Sequence, residues 1–168
     1  MRQLLLILVL LTSCFTSCKS SKRAITKSAT TGVIIKPKTT YAIADSIIKY
    51  SKTFKGVKYK YGGTDRKGLD CSGLIYLAFK SENIFIPRVS YIMAKEGKPI
   101  SLSDVIKGDL LFFKTTKSTK RINHVGLVIE SKQDTITFIH STTSKGVITS
   151  TLSELYWNNT FIEARRIL

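Results

Sequence analysis

The chain has few of the residues that build disulfide frameworks and metal centres. Its 168 residues include three cysteines and two histidines, together with three prolines and one tryptophan. Two of the cysteines lie in the first 18 residues, which leaves Cys71 as a free thiol in the remaining chain. The histidines and Cys71 lack the close spacing of zinc ligands. We therefore expect no disulfide, no metal site and no cofactor.

The first 18 residues have the pattern of a bacterial export signal. Arg2 supplies a positive end and residues 4–11 an apolar core, which is too short for a membrane-spanning helix of about 20 residues. Cys14 and Cys18 both stand where a lipoprotein signal places its lipidated cysteine, and the sequence leaves the choice between them open. We expect a lipid anchor in the cell envelope, at the outer membrane and facing the periplasm. Cleavage without lipidation is the alternative.

Acidic residues are scarce as well. The chain has 11 aspartates and glutamates and 27 lysines and arginines, which gives a formal net charge of +16. Such a positive field favours polyanions, through an attraction that salt screens. For an exported protein these are the anionic cell wall and lipid headgroups, and we expect no nucleic-acid partner. The sequence assigns no regulator, and we expect a monomer.

Residues 19–38 carry six basic residues and no acidic one, and they lack helical or strand periodicity. This composition predicts a signal over residues 1–18, followed by a flexible basic tether over residues 19–40. The remaining residues, 41–168, have the length of one domain with a self-sufficient core.

Apolar periodicity in this domain predicts helices first and strands afterwards. Helices are expected over residues 41–54, from Cys71 to about residue 81, and over residues 89–95. β-Branched and aromatic residues predict strands over 110–114, 122–131, 135–141, 146–151 and 161–167, with a helical turn over 152–157. This order favours an α+β domain in which the N-terminal helices pack on one antiparallel sheet.

Cys71 is the residue with the clearest chemistry. Asp70 is a good helix N-cap, so Cys71 falls in the first turn, where unpaired N–H groups and the helix dipole favour a negative sulfur. This placement predicts a thiol pKa below its free value of roughly 8.5. Gly73 leaves room for another backbone or a substrate to approach. A small buried hydrophobe is the alternative interpretation of such a cysteine.

The two histidines favour a catalytic interpretation. Strand alternation puts His124 on one face with Gly126, whose missing side chain leaves space for a helix or ligand. It puts His140 on the apolar face of the next strand, where a lone histidine is usually a satisfied core residue. Neighbouring strands lie about 4.8 Å apart, so the two rings can form a hydrogen bond. The catalytic interpretation therefore depends on His124 and His140 lying on adjacent strands.

These three residues form the minimal set for a cysteine hydrolase. His124 would take the proton of Cys71 and later donate it to the leaving amine, while His140 holds the His124 ring in its productive tautomer. The Cys71 N–H would help to stabilise the oxyanion of the tetrahedral intermediate. The sequence contains no P-loop or dinucleotide-binding motif.

Motifs in the right order over about residues 43–168 resemble the NlpC/p60 family of cell-wall cysteine peptidases. They are Gly56-Val57-Lys58-Tyr59-Lys60-Tyr61-Gly62-Gly63, Asp70-Cys71-Ser72-Gly73-Leu74, Pro87-Arg88, Gly108-Asp109-Leu110, His124-Val125-Gly126, Phe138-Ile139-His140-Ser141, Gly146-Val147-Ile148, Tyr156-Trp157 and residues 163–168. The resemblance implies a circularly permuted papain-like fold with Cys71 as nucleophile, His124 as base and His140 as orienting residue. It implies substrate-binding roles for Tyr59, Asp70, Ser72 and Arg88.

The likeness is greatest to Spr-type lipoproteins, which are murein endopeptidases, and it implies that peptidoglycan stem peptides are the substrate. In those members the bond is the D-alanyl–diaminopimelate crosslink, and in others it is γ-D-glutamyl–diaminopimelate. Met93 replaces a usual glutamine, which we expect to alter the rim of the substrate groove. The basic residues 114–121 are expected to meet stem-peptide carboxylates or solvent.

Two other interpretations remain open from the sequence. A related thiol enzyme on the same fold would act as an amidase or on a lipid acyl group, although no hydrophobic membrane segment lies near the expected site. An inactive wall-binding lipoprotein would keep the fold without the chemistry, although all three catalytic positions hold competent residues.

Overall fold

A computed structural model describes residues 38–118, 120–133 and 135–168. The predicted export signal, both lipidation candidates, Cys14 and Cys18, and nearly all of the tether lie outside the described residues. Within the described part, every helix is too short or too polar to cross a bilayer.

In the described residues, three helices precede the main sheet along the chain and a fourth lies just before its last strand. They are α1 (Thr40–Lys52), α2 (Cys71–Lys80), α3 (Ser90–Met93) and α4 (Leu155–Thr160), with a 3₁₀ turn at Leu102–Asp104. Helix α1 begins after Thr39, whose hydroxyl accepts a hydrogen bond from the Ala42 N–H at 3.3 Å. Its apolar face includes Ile47 and Ile48, which are buried in one apolar cluster with residues of α2 and of the main sheet.

The part of the chain that the structure describes contains eight strands, which form one small and one large sheet. They are β1 (Thr64–Asp65), β2 (Gly68–Leu69), β3 (Lys98–Ile100), β4 (Leu110–Phe113), β5 (His124–Lys132), β6 (Thr135–Thr142), β7 (Gly146–Thr151) and β8 (Phe161–Arg166). Strands β1 and β2 pair in a short hairpin, and the other six lie in the order β3-β8-β4-β5-β6-β7. All of these pairs are antiparallel. The predicted α+β arrangement is therefore confirmed.

Sequence periodicity located the long elements and missed the short ones. Strands β1, β2 and β3 were not predicted, because two or three residues show no alternation and β3 contains Pro99, an edge-strand residue. The third helix is four residues long, shorter than the predicted 89–95. The helical turn expected over 152–157 begins at Leu155.

The central strand β4 shows how the sheet separates two apolar layers. All four of its residues are fully buried. Leu110 and Phe112 belong to the layer under α1 and α2, whereas Leu111 and Phe113 belong to the opposite layer. Strands β5 and β6 present their histidines on that opposite side, where Phe138 and Trp157 also lie.

Candidate active site

The start of helix α2 is fixed by the side chain of Asp70. One carboxylate oxygen accepts the N–H of Gly73 at 2.6 Å, and the other accepts the N–H of Gly62 at 2.8 Å. This is an N-cap that also holds the preceding loop. A Cβ on Gly73 would lie 2.2 Å from the Gly63 carbonyl oxygen, so the expected close approach is that of the loop backbone. Cys71 is thereby held as the first residue of the helix.

Arg88 completes this arrangement from the other side. Its guanidinium lies 2.8 Å from one Asp70 oxygen and donates to the other at 2.9 Å. It also donates to the Ser72 hydroxyl at 2.9 Å and to the Gly63 carbonyl at 3.1 Å. Asp70, Ser72 and Arg88 therefore bind one another beside Cys71. Their predicted substrate-binding role stays a prediction, since these contacts position the nucleophile.

The thiol of Cys71 is buried, with 8% of the residue exposed. Burial is the largest cause that raises the pKa of this thiol, and the nearby Asp70 carboxylate raises it further. Backbone hydrogen bonds from Val125 and Ser72 act in the opposite direction and do not outweigh them. The predicted lowering of the thiol pKa is therefore wrong for the free protein. The Sγ atom lies 3.9 Å from the Asn123 carbonyl oxygen, a contact that suits a protonated thiol.

The two histidines meet across neighbouring antiparallel strands, as predicted. Leu127 of β5 pairs with Ile139 of β6, and this register brings His124 Nε2 to 2.9 Å from His140 Nδ1. Gly126 does not leave space for a helix or ligand. A Cβ there would lie 2.4 Å from the Phe138 ring, so the space is occupied by that ring.

Ser150 extends the histidine pair on the next strand, β7. Its hydroxyl lies 3.2 Å from His140 Nε2, and the residue is 6% exposed. When the Ser150 oxygen accepts from His140 Nε2–H, His140 Nδ1 can accept from His124 Nε2–H. The remaining nitrogen of His124, Nδ1, then carries a lone pair. The reverse direction of the chain would protonate that nitrogen, so Ser150 helps decide whether His124 can act as a base.

Burial keeps both imidazoles neutral. It lowers the pKa of His124 from 6.5 to about 4. Burial, followed by repulsion from His124, lowers the pKa of His140 to about 2. At neutral pH the site therefore holds a neutral thiol and two neutral rings.

Trp157 covers the histidine pair and was not assigned a role from the sequence. Its ring stacks on His124 with centroids 5.2 Å apart, and it meets His140 edge to face at 4.5 Å. The centroid of the Phe138 ring lies 4.7 Å from that of the His140 ring. These aromatic rings exclude water and fix the ring planes. The sequence showed an aromatic pair at Tyr156-Trp157, but no periodicity indicated that it would reach strands β5 and β6.

Two cavities lie on either side of Cys71 and share the lining residues Tyr59, Tyr61, Cys71 and Asn123. The larger, of about 660 Å³, also contacts His124 and Trp157. The smaller, of about 390 Å³, contains Asp70, Ser72 and Arg88. We call the two together the Cys71 groove. Its shape suits an extended chain that passes across the sulfur with the reacting group between Cys71 and His124.

Tyr59 is half-buried in the wall shared by both cavities. Burial, followed by the nearby Cys71 and Asp70, raises the pKa of its hydroxyl, which therefore stays protonated and can donate a hydrogen bond into the groove. Met93 lies elsewhere than expected. It is fully buried in the layer under α1 and α2 and does not form the groove rim.

Among the residues that the structure describes, no group of three or more histidine, cysteine, aspartate or glutamate side chains is arranged to hold a metal ion. The functional groups that converge are one thiol, two imidazoles and the hydroxyls around them.

The buried histidines predict a stability that falls on acidification. Both folded-state pKa values lie below 6.5, so between pH 6.5 and 4 the unfolded chain binds more protons and the free energy of unfolding decreases as pH falls. Two histidines give a slope of about 2.7 kcal/mol per pH unit. We expect His140→Asn to reduce that slope by about half between pH 6 and 5, measured by urea unfolding.

Ser150→Ala is the matched control, since it removes a neighbour of His140 but no titrating group. Equal slopes for the wild type and His140→Asn would contradict the assignment of neutral buried histidines.

Comparison with known proteins identifies the family. Residues 56–166 match the NlpC/P60 family. The murein DD-endopeptidase and murein LD-carboxypeptidase MepS of Escherichia coli K12 is 41% identical over 116 residues, which are 68% of this chain and 58% of MepS. The γ-D-glutamyl-L-lysine dipeptidyl-peptidase of Bacillus subtilis 168 is 36% identical over 124 residues, which are 73% of this chain and 40% of that enzyme.

The fold is shared with solved structures. An NlpC/P60 family protein from Bacillus cereus superposes with a TM-score of 0.67 at 32% identity, over 74% of this chain and 40% of that one. The match to MepS spans little more than half of the length of that protein. The family match and the common fold show that the chain belongs to the NlpC/P60 family.

Proposed function

We propose that this protein is a murein endopeptidase that hydrolyses stem-peptide bonds with Cys71 as nucleophile. The observation that carries the proposal is the hydrogen-bonded pair His124–His140, 2.9 Å apart, with His124 and Cys71 lining one cavity. His124 Nε2 is engaged by His140, which leaves Nδ1 as the base. MepS, which is named as a murein DD-endopeptidase and murein LD-carboxypeptidase, supports the substrate class.

The first chemical step follows from the neutral resting state. As Cys71 Sγ attacks the carbonyl carbon, its proton moves to His124 Nδ1, and the carbonyl oxygen becomes an oxyanion. The Cys71 N–H, in the first helical turn and without an intrahelical carbonyl partner, stabilises that oxyanion. His140 keeps accepting from His124 Nε2–H, so the imidazolium forms without a rearrangement of the pair.

The second half of the reaction uses the same groups. The His124 imidazolium donates its proton to the leaving amine as the C–N bond breaks, which leaves a thioester on Cys71. A water molecule then loses one proton to His124 and adds to the thioester carbon. The C–S bond breaks, the peptide leaves with a new carboxyl group, and the His124 proton returns to the sulfur to regenerate the thiol. Tyr59, Asp70, Ser72 and Arg88 are proposed to form the substrate-binding side of the groove.

The bond we propose is the D-alanyl–diaminopimelate crosslink, because MepS is named as a DD-endopeptidase. The γ-D-glutamyl–diaminopimelate bond is the second candidate, favoured by the similarity to the Bacillus subtilis dipeptidyl-peptidase. The two bonds give different products, and one digestion separates them.

Digestion of purified sacculi with the full chain in detergent is expected to convert crosslinked muropeptide dimers into monomers, identified by mass. Cys71→Ala should abolish the conversion because it removes the nucleophile, whereas Ser81→Ala, just past the far end of the same helix, should not change it. New dipeptide-length fragments would assign the γ-D-glutamyl bond instead. Unchanged sacculi and unchanged soluble dimers with folded protein would reject the enzyme and favour a wall-binding role.

Ser150→Ala is expected to lower kcat with little change in KM. The variant leaves His140 Nε2–H without its acceptor, a cost of about 1–3 kcal/mol that favours the unproductive tautomer and corresponds to roughly 5- to 150-fold in rate. Ser150→Thr should restore the rate because it keeps the hydroxyl. Imidazole ¹⁵N NMR should show the proton of His124 moving from Nε2 to Nδ1 in Ser150→Ala. A lower kcat with unchanged tautomers would exclude this positioning role.

We also propose that the protein is lipid-anchored in the cell envelope, at the outer membrane, through Cys14 or Cys18. The support is the apolar leader that ends in two suitably placed cysteines. Labelling cells with radioactive palmitate should mark the wild type, and either Cys14→Ser or Cys18→Ser should lose the label, because one of these thiols carries the lipid. Retention of the label in the double variant would refute the anchor.

A further inference from the structure

A second surface opening lies beside the Cys71 groove and is strongly basic. It has a volume of about 630 Å³ and is bordered by Lys95, Lys114, Lys120, Arg121, Glu163 and Arg165. We call it the basic cleft. Lys114 and Lys120 come from the basic segment between β4 and β5, and the fold brings Lys95, which follows α3, beside them.

The basic cleft adjoins the smaller cavity of the Cys71 groove. Tyr91, Arg121 and Ile122 line both openings. The Arg121 guanidinium lies 4.3 Å from the centre of the Tyr91 ring, at this junction. A chain bound across Cys71 on the Arg88 side would therefore have the basic cleft next to it.

The charges along this path are unbalanced. Asp70 is paired with Arg88 and Glu163 with Arg165, so these carboxylates and guanidiniums satisfy each other. Among the described residues, Lys95, Lys114 and Lys120 form no ion pair with a carboxylate. The charge at the opposite end of the groove is more balanced, because Lys145 and Glu154 both line the larger cavity.

We propose that the basic cleft binds the free carboxylates of the second stem peptide in a crosslinked substrate. This inference rests on the proposed function and assigns an orientation to it: the peptide that carries free carboxylates lies on the Arg88 side of Cys71, and the other peptide lies under Trp157. The occupant follows from position, since the cleft adjoins the groove on the Arg88 side of the sulfur. It follows also from charge, since three exposed lysines there have no carboxylate partner among the described residues.

The test compares two triple variants on one soluble substrate. Lys95→Gln, Lys114→Gln and Lys120→Gln together remove three charges from the cleft. Lys49→Gln, Lys52→Gln and Lys55→Gln remove the same charge from exposed positions in and just after α1, outside both cavities. The substrate is a purified crosslinked muropeptide dimer with free carboxylates, and the reference substrate is the same dimer with those carboxylates chemically amidated.

We expect the cleft variant to raise KM for the free-carboxylate dimer about tenfold, with kcat changed less than twofold, because several weak exposed ion pairs are lost together. The control variant should change KM less than twofold. The difference should vanish for the amidated dimer and should shrink at 0.5 M salt, where charges are screened within about 4 Å.

Three results would overturn the proposal. They are an unchanged KM in the cleft variant, an equal rise for the amidated dimer, and an equal rise in the control variant. Inhibition by polyphosphate that the cleft variant abolishes, with KM for the dimer unchanged, would assign the cleft to a phosphate polymer and also overturn it.

The proposed function and this inference fail separately. Calorimetry measures how tightly the inactive Cys71→Ala protein binds the free-carboxylate dimer. We expect this affinity to fall about tenfold when the three lysine substitutions of the cleft are introduced into the same protein. A wild type that cleaves no dimer rejects the proposed function, whereas a wild type that cleaves it with an unaltered KM in the variant rejects only the role of the cleft.

Discussion

The carboxylate of Asp70 is the group on which the geometry of the site depends. It caps helix α2 through the Gly73 N–H, holds the loop through the Gly62 N–H, and binds the guanidinium of Arg88. Each carboxylate oxygen accepts one backbone N–H and also contacts the guanidinium of Arg88. If the carboxylate moved to follow the loop, the helix or Arg88, it would lose its contacts with the other two. Cys71 follows directly in the chain, so its position is set before any contact with substrate.

The second constraint is the register of the sheet. Strands β5 and β6 place His124 and His140 side by side, and Ser150 on β7 continues the line of hydrogen bonds. The Ser141 hydroxyl donates to the Leu69 carbonyl at 2.7 Å, which ties the residue beside His140 to the chain just before Cys71. The thiol and the histidines are therefore connected through backbone, although they lie in different halves of the domain.

Burial gives this site its resting charge state. A helix N-terminus favours a thiolate, but the loss of hydration at Cys71 disfavours any charge there, and the neighbouring carboxylate adds to that effect. The same burial under Trp157 keeps the histidines neutral. Charge therefore develops during the reaction, between the sulfur, His124 and the oxyanion, in surroundings whose dipoles are already oriented.

The sequence by itself determined the order of the long helices and strands, the start of α2 after Asp70, and the three groups that carry the chemistry. These depend on local rules, namely apolar periodicity, helix capping and the rarity of cysteine and histidine. It also predicted that His124 and His140 would meet, because a short hairpin leaves few other registers. The short strands β1, β2 and β3 were not predictable, since two or three residues show no alternation, and β3 also pairs with the distant strand β8.

The tertiary structure decided what depends on groups far apart in the chain. It raised the pKa of Cys71 against the helix dipole, buried Met93 away from the groove, and filled the space beside Gly126 with Phe138. It also brought Ser150 and Trp157 to the histidines and placed Lys95 beside the basic segment between β4 and β5 in one cleft. Burial, hydrogen-bond direction and surface charge are sums over all neighbours in space, and a sequence shows only the neighbours along the chain.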